Sequence, residues 1–206
     1  LAFTAFATAR PFSSRVVMSP PKILATFGDK AMGADVVAEL AARPADVVVV
    51  AENAGFASYA REAVAATVAA RAKSGGYRAV ILGFTAQGRD LGPRVAAKLD
   101  APIASDVISI DGGADKLTVK HPGYANKVII TLEISGSPCV VSVRPSAFTA
   151  KEAAKAGKVE AIQPAADPGA ERVVVKELLE GNKGKIDLGD AQVIISGGRG
   201  LKEAAN

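Results

Sequence analysis

The sequence predicts a three-layer α/β fold whose sheet is mostly parallel and carries an antiparallel hairpin section. Up to about residue 105, short apolar runs rich in Val and Ile alternate with helix-length segments, which is the pattern of successive βαβ units. From residue 107 onward the runs stay short but are separated by Gly, Pro, Asp and Asn, as in hairpins. The 206 residues are 49% hydrophobic and only 5% aromatic, so a core of small aliphatic side chains is expected.

The first 19 residues differ in composition from the rest of the chain. They contain Arg10, Arg15 and several Ser and Thr but no acidic residue, which is typical of a mitochondrial or plastid transit peptide. We therefore expect residues 1–19 to be a targeting-like segment outside the fold, the alternative being an extension packed on the surface. The α/β domain is expected to span residues 20–165.

Three buried strands are predicted over residues 22–27, 46–51 and 79–84, because each is a short run of mainly apolar residues rich in branched side chains. A helix is expected after each strand. The helix after the second strand should stop at Gly75 and Gly76, since glycine readily adopts the left-handed conformation that ends helices.

The third of these units, residues 79–106, is the stretch around which the rest of the chain is organised. A polar turn is predicted over residues 85–90. A helix follows the turn, because Leu91, Val95 and Leu99 recur at a spacing of four and so form one apolar face.

Residues at the start of this helix are candidates for binding a partner. Ligands and partners of open α/β sheets usually bind at the carboxyl ends of the strands, where the turn should lie. We therefore predict that Arg89, Asp90 and Arg94 contact a partner. The alternative is a solvated helix start, in which Asp90 stabilises the helix N-terminus.

Beyond residue 106 the predicted elements are shorter. We expect a short helix at residues 150–158 and strands at 107–110, 116–120, 127–133, 139–143 and 159–163. The charged, glycine-containing residues 166–190 are predicted to be a linker. Residues 191–206 are predicted to begin a second domain, with a strand at 192–196.

Composition argues against several classes of function. The formal net charge of +4 is modest, and the basic residues are interspersed with acids, so nucleic-acid binding is not expected. No apolar run reaches the roughly 18 residues that a membrane-spanning helix needs. Cys139 and His121 are the only residues of their types, and neither has sequence neighbours that would complete a metal site or a nucleophile-base pair. We therefore predict no catalytic residue and no metal ligand.

Gly197, Gly198, Arg199 and Gly200 directly follow the last predicted strand. A glycine pair after a strand lets backbone N–H groups approach an anion, and Arg199 could pair with a phosphate or with electron-rich flavin atoms. The alternative for so short a sequence is an ordinary surface turn.

Four segments of the chain resemble the electron transfer flavoprotein alpha subunit, and they occur in the order found in that family. They are TAQGRDLGPRVAAKLDAPIASDVISI at 85–110, PGYANK at 122–127, VRPSAF at 143–148 and VIISGGRGL at 193–201. The resemblance extends from about Pro21 to the end of the chain. It implies the adenine-nucleotide-hydrolase-like fold of the family's amino-terminal domain.

The resemblance also implies a function in electron transfer. Alpha subunits of this family pair with a beta subunit, hold FAD and pass electrons from acyl-CoA-type dehydrogenases towards ubiquinone in the mitochondrial matrix. An electron carrier is therefore expected, rather than a catalyst with its own substrate site. The glycines at 197, 198 and 200 would open the flavin domain, with Arg199 near FAD.

Only six residues follow Gly200, so this chain alone is not expected to enclose FAD. An enzyme that binds adenine nucleotide through this fold is the least favoured function, because no glycine-rich phosphate loop is recognisable. Two other functions remain open on the sequence. One is the alpha-type half of the heterodimeric carrier, and the other is a cofactor-less accessory subunit of a larger mitochondrial assembly.

Overall fold

The computed structural model describes residues 16–19, 23–28, 45–112, 116–148, 157–177, 193–198 and 200. The chain divides into two compact units, Leu1–Val174 and Val175–Asn206, and the helices and strands named below belong to the first. Among the helices in these ranges, none has the length and apolar character of a membrane-spanning segment. The helices predicted after residue 28 and at residues 150–158 fall wholly or mostly outside the described residues.

The strands of the first unit form two sheets. In chain order the strands are β1 (Val16–Ser19), β2 (Ile23–Gly28), β3 (Val47–Glu52), β4 (Ala79–Gly83), β5 (Ile103–Val107), β6 (Ser109–Gly112), β7 (Lys116–Gly123), β8 (Val128–Ser135), β9 (Cys139–Val143) and β10 (Lys158–Ile162). The main sheet has seven strands in the order β10-β3-β2-β1-β4-β9-β5. Six of them run parallel, and β1 lies antiparallel to both of its neighbours. The carboxyl ends of the six parallel strands therefore share one edge.

Strand β1 lies in the middle of the main sheet, so the prediction that residues 1–19 lie outside the fold is wrong for residues 16–19. Val17 is paired with Leu24 on one side and with Ile81 on the other. Inserted between β2 and β4, the strand provides hydrogen-bond partners for the backbones of both. The composition of residues 1–19 could not show this, because the pairing partners lie elsewhere in the sequence.

Helix α1 (Arg61–Gly75) follows β3 through a 3-10 turn at Ala54–Ala57. It buries small side chains, among them Ala63 and Ala72, against the sheet. Its end is as predicted, because Gly76 adopts a left-handed φ of 61° and donates its backbone N–H to the carbonyl oxygen of Ala72.

Helix α2 (Ala86–Leu99) begins immediately after β4, so the predicted polar turn at residues 85–90 is instead the N-cap and first turn of the helix. Thr85 is the N-cap, and its hydroxyl oxygen accepts a hydrogen bond from the backbone N–H of Gly88 at 3.2 Å. A Cβ at position 88 would collide with the carbonyl group of Gly83, so only glycine allows this tight passage from strand to helix. The predicted apolar face of α2 is buried at Leu91, Val95 and Leu99.

Strands β6, β7 and β8 form a separate antiparallel sheet, which confirms the predicted hairpin section. Two strands differ from the prediction. Residues 103–107 form the parallel strand β5, which the sequence did not reveal because Ser105 and Asp106 interrupt its apolar pattern. Strand β9 was expected among the hairpins but lies between β4 and β5 in the main sheet.

The core lies on both faces of the main sheet. On one face, α1 and α2 cover a cluster that includes Val80. On the other face, Leu117 and Val119 of the small sheet pack with Ile81 and Cys139 of the main sheet. The fold therefore has three layers, as predicted, and the cysteine is a buried apolar residue.

Candidate functional site

The candidate site lies on the carboxyl edge of the main sheet, where the chain leaves β4, β5 and β9. Asp106 is near the end of β5, Arg144 directly follows β9, and Arg89 is in the first turns of α2. The turn between β7 and β8 reaches the same place through Asn126. This edge is where open α/β sheets usually bind ligands and partners.

Arg144 and Asp106 form a bidentate ion pair. The Nε atom of Arg144 donates to Oδ1 of Asp106 at 2.8 Å, and its Nη2 atom donates to Oδ2 at 2.6 Å. These hydrogen bonds hold the pKa of the Asp106 carboxyl below its ordinary value, against the opposing effect of burial. Because the backbone N–H of Arg144 also donates to the carbonyl oxygen of Val107 at 2.9 Å, the ends of β5 and β9 are tied together twice.

Arg144 also holds the turn between β7 and β8. Its Nη2 atom donates to Oδ1 of Asn126 at 3.1 Å. Tyr124, Ala125 and Asn126 all have left-handed backbones, with φ of 50°, 56° and 66°. This conformation costs a non-glycine residue about 1 kcal/mol or more. The same turn carries Tyr124, whose side chain is 80% exposed.

Arg89 contributes a second guanidinium group to this surface. Its side chain is exposed, and its Cζ atom lies 5.2 Å from the centroid of the Phe84 ring, a cation-π distance. After the hydrogen bonds from Arg144, the nearby His121 and Arg89 side chains contribute further to the lowering of the pKa of Asp106. With two guanidinium groups and one carboxylate, the Arg89, Asp106 and Arg144 side chains carry a net positive charge at neutral pH.

Asp90 and Arg94 lie on another face of α2. Oδ1 of Asp90 accepts a hydrogen bond from Nε of Arg94 at 2.9 Å. Tyr59, just before α1, lies beside this pair, and its pKa is raised well above the ordinary value by burial and then by the charge of Asp90. The structure therefore brings Asp90 and Arg94 together where α2 meets α1, and it separates them from Arg89.

Asp90 lies beyond the first turn of α2, which bears on the alternative that its charge stabilises the helix N-terminus. It is the fifth residue of a helix that begins at Ala86, and the N-cap is Thr85. Its negative charge is instead paired with Arg94, whose pKa is raised by their hydrogen bond.

The glycine-rich segment belongs to the second unit. Val193, Ile194 and Ile195 are exposed, and the described residues of the predicted strand 192–196 are not in a strand. An apolar run becomes a strand only where another strand pairs with it, and the described residues offer none.

The described glycines of this segment do not by themselves fit a flavin site. Gly197, Gly198 and Gly200 are exposed. A Cβ added at position 198 or 200 would meet no atom within 4 Å, so these residues line no cradle. Arg199 lies outside the described residues.

The arrangement around Arg144 is suited to binding rather than to proton transfer. The Asp106 carboxylate is held in its charged form by two hydrogen bonds, so it is a poor proton donor at neutral pH. Within the described ranges, no three His, Cys, Asp or Glu side chains are grouped as metal ligands.

Asp106, Asn126 and Arg144 were not predicted as site residues, although the sequence carries a signal for them. Each lies in a different segment of the resemblance, namely 85–110, 122–127 and 143–148. Arg144 is 38 residues from Asp106 and 18 from Asn126 in sequence. Three separate segments thus converge on one guanidinium group.

Comparison with known proteins gives consistent matches. The family model described as "Electron transfer flavoprotein domain" matches residues 22–168. The chain is 34% identical over 174 residues to electron transfer flavoprotein subunit alpha of Pseudomonas aeruginosa, a match that covers 82% of this chain and 54% of that protein. It is 33% identical over 166 residues to the subunit alpha of Syntrophomonas wolfei, covering 80% and 52%.

A plant protein is similar over a comparable stretch. The mitochondrial electron transfer flavoprotein subunit alpha of Oryza sativa is 34% identical over 173 residues, which covers 77% of this chain and 45% of that protein. The chain thus spans about half the length of the curated relatives it matches.

Proposed function

Since the chain belongs to the electron transfer flavoprotein family and carries the amino-terminal domain of the alpha-subunit type, we propose that it acts as the alpha-type half of a heterodimeric electron carrier. In this proposal a beta subunit is the partner, and electrons pass from acyl-CoA-type dehydrogenases towards ubiquinone. FAD supplies the redox chemistry when bound, and the domain described above binds and orients partner protein.

One observation carries this proposal: three segments of the family resemblance meet at Arg144. The ion pair with Asp106 fixes two strand ends, and the bond to Asn126 fixes the exposed turn beside them. A rigid, positively charged surface with an exposed aromatic ring is well suited to docking an acidic protein surface.

The predicted partner-binding residues have different parts in this proposal. Arg89 is exposed on the docking surface and contacts the partner directly. Asp90 and Arg94 act indirectly, because they fix α2 against α1 and so position Arg89. By the family resemblance, Gly197, Gly198, Arg199 and Gly200 would lie at the edge of a flavin site, for which the described glycines alone form no cradle.

We propose a mitochondrial location, in the matrix. The relatives include bacterial proteins as well as the mitochondrial protein of rice. The support specific to this chain is the acid-free, arginine-containing composition of its first residues. Import of the radiolabelled chain into isolated mitochondria, with protease protection as the readout, tests this proposal.

The test of function is co-expression of the full 206-residue chain with an electron transfer flavoprotein beta subunit. We expect the two polypeptides to co-purify as a heterodimer, measured by size-exclusion chromatography with light scattering. Recovery of the two chains as separate species would contradict the pairing.

The visible spectrum of the co-purified complex distinguishes the carrier from the accessory subunit. Flavin absorbance that is bleached by a reductant and restored by oxygen supports the electron carrier. A stable complex without flavin supports the cofactor-less accessory subunit, which is favoured by one observation, the lack of a cradle at the described glycines.

A further inference from the structure

The N-terminus of α1 is capped by a residue far away in sequence. Oε1 of Glu171 accepts hydrogen bonds from the backbone N–H groups of Glu62 at 2.9 Å and Ala63 at 2.8 Å, and Oε2 accepts from Glu62 at 3.1 Å. The local N-cap residue, Ala60, makes no side-chain cap bond. Glu171 therefore satisfies two free donors of the helix end and places a negative charge at its positive pole.

The residues that precede Glu171 are anchored to the same helix. The backbone N–H of Ala165 donates to Oγ1 of Thr67 at 2.9 Å. This hydroxyl is buried and itself donates to the carbonyl oxygen of Ala63 at 2.7 Å. Residues 165–172, named the strap here, are thus bound to α1 at both ends.

The middle of the strap is packed against the turn that leads into α1. Pro168 is buried in a 3-10 turn capped by Asp167, whose Oδ1 accepts the N–H of Gly169 at 2.8 Å. A Cβ on Gly55 would lie only 2.7 Å from Cβ of Pro168, so glycine at 55 is required for this close approach. The contact seats the strap against the 3-10 turn that follows β3.

We propose that the strap is a latch, which Glu171 holds shut and which opens as a unit, independently of the rest of the domain, when the hydrogen bonds of that carboxylate to α1 are lost. The closed latch packs against the turn that follows β3 and against the start of α1. It also fixes the point at which the chain leaves the first unit, because that unit ends at Val174, three residues after Glu171. The inference does not depend on the proposed function.

Amide hydrogen exchange of the full chain, followed by mass spectrometry, tests the latch. In Glu171→Gln the side chain keeps its size and loses its charge, so we expect peptides from the strap and from the start of α1 to exchange about tenfold faster. Peptides from β4 and β9 should keep their exchange rates. The matched control is Glu52→Gln, which removes an exposed carboxylate at the end of β3 and should change neither region.

Gly55→Ala is a second variant that leaves the carboxylate intact. It should accelerate exchange in the strap as well, because the added methyl group displaces Pro168. Unchanged strap exchange in both variants would overturn the proposal. Equal acceleration in every element of the domain would also overturn it, since Glu171 would then be only a helix cap that contributes to global stability.

Discussion

Arg144 binds Asp106 through two parallel hydrogen bonds, although 38 residues separate them in sequence. The same guanidinium group reaches Asn126 in a turn of left-handed residues. One side chain thus fixes two strand ends of the main sheet and one turn of the small sheet. The partner-facing surface proposed above depends on this contact.

Replacing Asp106 by Asn should lower the melting temperature by about 2–4 °C, because Arg144 loses a charged partner. A double-mutant cycle with Arg144→Gln should show a favourable coupling between the two side chains. The control is the cycle for Lys116 and Glu133, an exposed ion pair at 2.9 Å, which should show a smaller coupling. Equal coupling energies in the two cycles would show that the Arg144–Asp106 pair stabilises the fold no more than an exposed ion pair does.

The contribution of Asp106 to stability should depend on pH. Its folded-state pKa is lowered, so this stability is fully present above the unfolded-state pKa of about 3.9 and is lost as pH falls through the folded-state pKa. The difference in unfolding free energy between the wild type and Asp106→Asn should therefore be constant near neutral pH and shrink below about pH 4. Denaturant titrations at several pH values measure this difference in unfolding free energy. A difference that grows in acid would refute the lowered pKa of Asp106.

Tyr59 should make the domain sensitive to alkali. Its pKa is raised, so its contribution is fully present below the unfolded-state value of about 10 and is lost as pH rises towards the folded-state value. Between about pH 9 and pH 11, the wild type should lose more unfolding free energy than Tyr59→Phe. A parallel decline of both proteins would show that the Tyr59 hydroxyl is not in the environment described.

Arg89→Ala should weaken binding to a beta subunit by roughly fivefold to tenfold and reduce the salt dependence of binding, because an exposed charge at an interface acts mainly through electrostatic attraction. The melting temperature should stay the same. Lys98→Ala is the matched control, since it removes another exposed cation from α2. Binding measured by surface plasmon resonance at two salt concentrations separates the two variants, and equal losses would argue against a specific role for Arg89.

Removing residues 1–15 should preserve the fold, whereas removing residues 1–19 should abolish cooperative unfolding. The second deletion eliminates β1 and leaves β2 and β4 without their shared partner. Circular dichroism during thermal unfolding distinguishes the two. Cooperative unfolding of the shorter protein would show that β1 is dispensable. The same reasoning predicts that any leader removed in the cell ends before Val16.

Much of the fold follows from local patterns. The apolar runs of β3, β4 and β9, the apolar face of α2 and the glycine stop of α1 were all predicted, since each depends on residues close together in sequence. The resemblance to the electron transfer flavoprotein alpha subunit was also recognisable from the sequence, because four short segments match that family in the same order.

Long-range contacts decided the rest. The residues 16–19 became a strand because β2 and β4 both offered free backbone groups, and the exposed residues 193–196 did not although they are more apolar. Asp90 and Arg89 are adjacent in sequence, yet they lie on different faces of α2. Asp90 lies near Tyr59 at the start of α1, and Arg89 lies near Asp106. The periodicity of a sequence predicts which residues share one face of a helix or strand, but not which distant residues pack against that face. The contacts of Arg144 with Asp106 and Asn126, and the cap that Glu171 forms on α1, are such distant contacts, so only the tertiary structure decided them.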